Sequence, residues 1–173
     1  VGQAVDGAEL VCQHLGHVVG KAAAGFEVTD TERGLKVSRR NGRVSAVDVV
    51  TAPHPGFPTD LHPPLVAYLS RASGSSRLVE AVFEGRFSYV GALCEMGARI
   101  RRNGTTLTID GVDSLRGRSI AATDIRGGAS MVLAGLAADG YTTVTQLEHI
   151  DRGYARLEEK LSSLGARIER REG

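Results

Sequence analysis

The alternation of apolar and polar positions divides the chain into short strands and short helices. "SAVDVVTA" (45–52) is rich in β-branched residues and predicts a strand, and the apolar stretch after it predicts a helix over about 61–73. "RLVEAVF" (77–83) predicts a strand, followed by a helix over about 87–96. "RIRRNGTTLTID" (99–110) reads as a hairpin with its turn at Asn103-Gly104, a pair suited to positive φ. The order then recurs: a strand at 118–124, a helix over about 129–139 that stops at Gly140, a strand at 142–150 and a helix at 153–164. In that last helix Tyr154, Leu157, Leu161 and Leu164 fall on one face.

The recurrence shows in the wording of the chain as well. "EMGARIRR" (95–102) and "SLGARIER" (163–170) are near-copies, and "AAGFEVTD" (23–30) is a fainter third. Each ends a predicted helix at a glycine (Gly25, Gly97, Gly165) able to adopt the left-handed C-cap, and each enters a strand through Val28, Ile100 or Ile168. The unit is strand, helix, strand, helix, strand pair. Its copies fall at about 1–44 (partial or divergent), 45–112 and 113–173. A period this long does not fit a common solenoid. It predicts a single α/β domain over 1–173 with internal pseudo-symmetry and helices packed behind sheets, with a generic α/β sandwich as the alternative.

Composition narrows the class without changing it. A chain of 173 residues can bury a full core, and 42% hydrophobic with 24% charged residues is ordinary for a globular domain. A net charge of +1 gives no bulk attraction to nucleic acid or to a membrane surface. No apolar run reaches the roughly 18 residues of a membrane span, and no leader pattern opens the chain. The chain starts without Met in a stretch that reads as structured, so a fragment or a single domain of a longer protein is expected. Cys12 and Cys94 sit on apolar segments without metal-ligand spacing and read as reduced core residues, which fits a cytoplasmic location. No metal or cofactor is expected.

The candidate chemistry lies where strands run into helices. In "TAPHPGFPTD" (51–60), Pro55 and Pro58 each fix a φ angle and Gly56 gives freedom between them, so the loop delivers Asp60 to a defined place. The competing reading makes Thr59 or Asp60 a helix cap. Three further junctions, "VFEGRF", "TDIRGG" and "HIDRGY", place Arg86, Arg126 and Arg152 just ahead of predicted helices, each near an acidic residue (Glu84, Asp124, Asp151). Helix N-termini attract anions, and arginine adds a planar fork suited to phosphate or carboxylate. An arginine at that end opposes the helix dipole, so local stability does not explain three of them. An aspartate held among arginines stays ionised and can accept a proton from a hydroxyl. His54 and His62 flank the loop as possible ligand contacts, while His14, His17 and His149 read as structural.

Together "TAPHPGFPTD", "VFEGRF", "ATDIRGGASMVLAG" and "HIDRGYARLEEKLSSLGARIER" resemble, in order, motifs of the UDP-N-acetylglucosamine enolpyruvyl transferases of cell-wall synthesis. The likeness is strong over about 45–173 and weak over 1–44. The enolpyruvylshikimate-phosphate synthases share the fold but not the proline loop or the "HIDRGY" wording. The resemblance implies an inverse α/β barrel of three repeats with helices inside, one half of a two-domain cytoplasmic enzyme of peptidoglycan precursor synthesis. It implies transfer of the enolpyruvyl group of phosphoenolpyruvate to the 3-hydroxyl of UDP-N-acetylglucosamine, through a tetrahedral ketal and with loss of phosphate. Asp60 matches the residue that binds the sugar hydroxyl and removes its proton; Arg126 and Arg152 match arginines that surround phosphoenolpyruvate. Thr59, Val82, Phe83, Arg86, Asp124 and Ile125 match substrate-binding or supporting positions.

Three departures stand out. Most of the partner N-terminal half is absent, and with it the family's flexible catalytic loop and a lysine for phosphoenolpyruvate. The stretch between "LVC" and "GFEV" is roughly two helical turns shorter than the family pattern. His62 stands where glutamine is usual, followed by two prolines. Rival readings are transfer to another uridine nucleotide in antibiotic synthesis, and a non-catalytic nucleotide-sugar-binding module. No nucleic-acid or membrane partner is expected.

Overall fold

The computed structural model describes residues 26–32, 34–39 and 44–171. Cys12, His14, His17 and Gly25 lie outside the described residues. The described chain is mixed α/β, with short strands in small sheets around a buried pair of helices. Strands β1 (Phe26–Thr31) and β2 (Gly34–Arg39) form an antiparallel hairpin. The next unit follows the predicted order. β3 (Asp48–Val50) is parallel to β4 (Ser75–Val79), so the chain must cross over between them. A 3-10 turn, Thr59–Leu61, and helix α1 (His62–Leu69) make that crossing. Helix α2 (Val90–Glu95) leads to the hairpin β5 (Arg99–Asn103) and β6 (Thr106–Asp110), and β6 pairs with β4 to give the sheet order β3-β4-β6-β5.

The last unit contains a second parallel crossover. β7 (Leu115–Arg116) and β8 (Ser119–Ala121) precede helix α3 (Ile125–Leu136). β9 (Ala138–Asp139) and β10 (Thr143–Thr145) follow it, and β10 returns parallel to β8. Two short helices, α4 (Glu148–Asp151) and α5 (Leu157–Ser163), close the unit. Gly97 and Gly165 both adopt positive φ, 96° and 93°, as the repeated "GARI" wording requires.

Helix α1 is buried around almost its whole circumference: His62, Pro63, Pro64, Leu65, Val66, Ala67 and Leu69 all lie inside. A helix apolar on every side has nowhere else to go. Its prolines occupy the first turn, where backbone N–H groups have no partner within the helix. α3, whose buried residues are mostly small, packs against it, and Leu78, Leu107 and Ile109 of the sheet join the same core with no solvent exposure. Gly128 lets α4 come close, because a Cβ there would sit 2.6 Å from Ile150 Cγ1.

Several expectations are corrected. α3 begins at Ile125 instead of near 129, because Asp124 caps it. The strand expected over 142–150 ends at Thr145, and 148–151 is helical. The final helix starts at Leu157 instead of 153, and no strand forms around Ile168. Arg152 therefore flanks the C-terminal end of α4, where a cation suits the dipole, and Arg86 lies well ahead of α2. Only Arg126 sits at a helix N-terminus as predicted. Cys94 is exposed on α2, not part of the core, since that short helix buries only Leu93.

One buried polar cluster interrupts the apolar interior. Burial alternates along β4, with Ser76 and Leu78 inward, and the next inward position is Glu80, which is fully buried. Its carboxylate accepts bonds from the hydroxyls of Thr51 and Thr59, both at 2.7 Å, and from the N–H groups of Val82 at 2.8 Å and Phe83 at 2.9 Å. Burial pushes the Glu80 carboxyl up, but these donors outweigh it and hold it below its ordinary value. His62 Nδ1 lies 3.2 Å from Glu80 Oε2, and His62 Nε2 lies 2.8 Å from the Tyr89 hydroxyl. Burial, opposed by Glu80, pushes His62 down to about 4, so the ring is neutral at pH 7.

Two outcomes follow from this packing. Gly128→Ala should lower unfolding free energy by about 1–3 kcal/mol in urea titration, since the added methyl has no room against Ile150. His62 binds a proton below 6.5 when unfolded but only below about 4 when folded, so stability falls as pH drops through that window, by on the order of 3 kcal/mol. His62→Gln removes that proton site. Its unfolding free energy relative to the parent, measured at pH 7.5 and pH 4.5, should improve at the lower pH; a constant difference would contradict a neutral buried His62.

Candidate functional site

The proline loop is closed by its own backbone. Ala52 N–H donates to Phe57 O at 2.9 Å and Gly56 N–H to Pro53 O at 2.8 Å. Phe57 is fully buried and anchors the loop to the core. Leu61 N–H then donates to Pro58 O at 3.0 Å, which opens the 3-10 turn. Neither that turn nor α1 has a side-chain cap, so the capping role considered for Thr59 and Asp60 does not hold. Thr59 turns inward to Glu80, and Asp60 turns outward, its side chain 56% exposed.

Asp60 is gripped by two arginines from different parts of the chain. Arg126 donates through Nε to Oδ1 at 2.9 Å and through Nη2 to Oδ2 at 3.0 Å, a two-pronged contact. Arg86 Nη1 binds Oδ1 as well. The Arg126 hydrogen bond, with help from Arg86 and against partial desolvation, holds the Asp60 carboxyl below its ordinary value; the same contact raises Arg126. Asp60 is the most exposed of the three, and solvent screening keeps each of these ion pairs to on the order of 1 kcal/mol.

The neighbours fix where these guanidinium groups point. Asp124 caps α3, accepting from Arg126 N–H at 3.0 Å and Gly127 N–H at 2.9 Å, while the Ser88 hydroxyl donates to its other oxygen at 2.7 Å. Burial raises the Asp124 carboxyl, but Gly127, Ser88 and Arg126 donors together hold it below its ordinary value. The carboxylate is thus engaged in seating the helix end that carries Arg126. Phe83 and Val82 turn their side chains outward, 55% and 44% exposed, with the Arg86 guanidinium 5.1 Å from the Phe83 ring centroid.

Arg152 is brought near by packing but does not join the clamp. Gly153 lies against Ile125, where a Cβ would stand 2.6 Å from Cγ2, so the 152–154 turn covers the start of α3. Among the described residues the Arg152 guanidinium has no ion-pair partner. His54 is exposed on the loop, whereas His62 is fully buried and therefore unavailable to a ligand, contrary to expectation. Sequence reasoning missed Glu80, Ser88, Tyr89 and Tyr154. Half-buried Tyr154 is raised by burial, an effect that Arg126 opposes and Asp60 reinforces. For Glu80 a signal existed: an acidic residue at the inward parity of an apolar strand.

The family model described as EPSP synthase (3-phosphoshikimate 1-carboxyvinyltransferase) matches residues 6–161. The chain is 56% identical over 148 residues to a UDP-N-acetylglucosamine 1-carboxyvinyltransferase of Cereibacter sphaeroides, covering 86% of this chain and 35% of that protein. It is 54% identical over 151 residues to the protein of the same name from Ruegeria pomeroyi, covering 87% and 36%. The chain thus spans about a third of the length of the curated relatives it matches. Among solved structures, the enolpyruvyl transferase NikO from Streptomyces tendae superposes with a TM-score of 0.76 at 28% identity, over 95% of this chain and 44% of that one. An EPSP synthase from Acinetobacter baumannii shares the fold, with a TM-score of 0.59 at 21% identity, over 86% and 35%. The family-model match, which runs over residues 6–161 and so over most of the chain, shows that this chain belongs to the EPSP synthase (3-phosphoshikimate 1-carboxyvinyltransferase) family.

Proposed function

We propose that the chain is part of an enzyme that transfers the enolpyruvyl group of phosphoenolpyruvate to the 3-hydroxyl of UDP-N-acetylglucosamine. The observation that carries the reading is one outward-facing carboxylate gripped by two arginines from separate parts of the chain. Relatives above 50% identity bear the name of that reaction. The chain is read as one domain of three repeats, an inverse α/β barrel with α1 and α3 inside. Its parallel crossovers and buried α1 support that architecture. The other half of the enzyme would supply the remaining substrate contacts, and the cell-wall role and cytoplasmic setting come with the reaction.

In the free state Asp60 fills the anion site itself. Its lowered pKa makes it a weak base while Arg126 and Arg86 hold it. Phosphoenolpyruvate carries a carboxylate and a phosphate, each a partner for an arginine fork. When the substrate takes those donors, the Asp60 carboxylate regains ordinary basicity beside the acceptor hydroxyl. It then accepts the hydroxyl proton as the oxygen bonds to C2 of phosphoenolpyruvate, and C3 gains a proton from a group not assigned among the described residues. Loss of a C3 proton and departure of phosphate from the tetrahedral ketal regenerate the vinyl group on the sugar. Arg152, on the turn over α3, is read as a further contact to the anion. Asp124 and Ile125 seat the helix end, and Val82 and Phe83 face the nucleotide sugar. Thr59 borders the acceptor site.

Likeness to NikO keeps a different acceptor nucleotide as the second reading. The test is phosphate release from phosphoenolpyruvate with UDP-N-acetylglucosamine, using this chain together with the complementary N-terminal half. Asp60→Ala should lose about 10²–10⁴-fold in rate, the usual contribution of a positioned base, and Arg126→Ala should lose rate and weaken phosphoenolpyruvate binding. Activity with a plain uridine nucleotide alone would move the protein to the second reading. Unchanged activity in Asp60→Ala, or none with any acceptor, would sink the catalytic assignment.

A further inference from the structure

We propose that Glu80 is a positioning residue: one buried carboxylate that holds Asp60 and the Val82–Phe83 turn in a single fixed arrangement. The inference rests on the reading of Asp60 as the group that meets the acceptor hydroxyl.

The argument starts from cost. A carboxylate with no solvent exposure loses its hydration, and an apolar residue of similar volume at such a site is often as stable or more so. Stability alone therefore does not call for Glu80. What an apolar side chain cannot do is accept several directed bonds from separate segments. Oε1 takes the Thr51 hydroxyl and the N–H groups of Val82 and Phe83, and Oε2 takes the Thr59 hydroxyl and lies beside His62 Nδ1. Thr51 and Thr59 are the two ends of the proline loop. Thr59 precedes Asp60, and Val82 and Phe83 lead into the turn that carries Arg86. The Thr51 hydroxyl also accepts from Ala81 N–H at 2.8 Å, which closes the link between loop and turn. The segments that present Asp60 and Arg86 are thus tied to one side chain, with His62 and Tyr89 packed beside it, while Asp124 seats the helix end that carries Arg126.

The chemistry of replacement separates positioning from bulk. In Glu80→Gln the amide oxygen can keep the Oε1 bonds, because backbone donors need an acceptor there. The amide NH₂ can face Thr59, whose hydroxyl rotates to accept, and His62, which can change tautomer. Glu80→Ala loses all of these bonds. Thr59→Val removes only the link to Asp60 and leaves Glu80 with three other donors, so it stays informative if Glu80→Ala fails to fold.

The test reads the clamp directly. In a ¹H–¹⁵N spectrum of this chain at pH 6.5, the Arg126 Nε–H signal reports its bond to Asp60. It should persist in the parent and in Glu80→Gln and be lost or broadened in Thr59→Val and Glu80→Ala, with backbone signals of Leu78 and Ile109 retained. In the active two-half enzyme, Thr59→Val should lower kcat roughly 10–100-fold, the usual effect of sub-ångström to 1 Å misplacement, with KM for the nucleotide sugar changing less than kcat. Glu80→Gln should stay within a few-fold of the parent. Persistence of the Arg126 signal in Thr59→Val, or a loss of thermal stability with kcat intact, would overturn the inference. A parent without transferase activity that still loses the signal in Thr59→Val would sink the proposed reaction and leave the positioning role standing.

Discussion

A single ion with no contact to water, the Glu80 carboxylate, organises the surface above it. Removing a charge from solvent is unfavourable by several kcal/mol unless it is matched by donors. Here two hydroxyls and two backbone N–H groups donate to it, from the two ends of the proline loop and the turn after β4, and the imidazole at the first residue of α1 lies alongside. Because those donors must converge for the carboxylate to be buried at all, the loop and the turn cannot move independently. The sheet and α1 supply the dry interior that makes the convergence obligatory.

The clamp above follows the opposite logic. Asp60, Arg86 and Arg126 are partly exposed, and their mutual attraction is weak in water. Their geometry is nonetheless specific, since Arg126 uses two nitrogens and its helix end is seated by Asp124. Weak attraction with defined geometry suits an exchange of partners. In the proposed reaction, a bound anion replaces Asp60 on the arginines without opposing a large stabilising term, and the carboxylate it releases is then a better base. Rigid support beneath and an exchangeable pair on top divide the work between buried and exposed electrostatics.

Much of this was legible in the chain. Hydrophobic alternation placed the strands and helices of the middle unit, and the "GARI" copies located two glycines that do adopt positive φ. The four junction motifs pointed to Asp60, Arg86 and Arg126, which the fold brings together across 66 residues of sequence. What failed has physical causes. The stretch over 142–150 is β-branched at its start, so the period suggested a long strand, but 148–151 folds as a helical turn against Gly128. His62 beside the loop looked accessible, yet the apolar residues after it draw the whole of α1 inside. Cys94 looked apolar by its neighbours, and a helix of one and a half turns leaves one side in water. The partners of Glu80 lie up to 29 residues from it in sequence, and no local pattern announces such convergence.

The exchange of anions on Arg86 and Arg126 is the central claim, and the affinity of this chain for inorganic phosphate tests it most directly. Calorimetric titration of the parent and of Asp60→Asn at pH 7.5 compares the clamp with and without its internal carboxylate. If Asp60 occupies the site until an anion displaces it, Asp60→Asn binds phosphate several-fold more tightly. Equal or weaker binding in Asp60→Asn would contradict competition and leave the arginines without the role assigned to them.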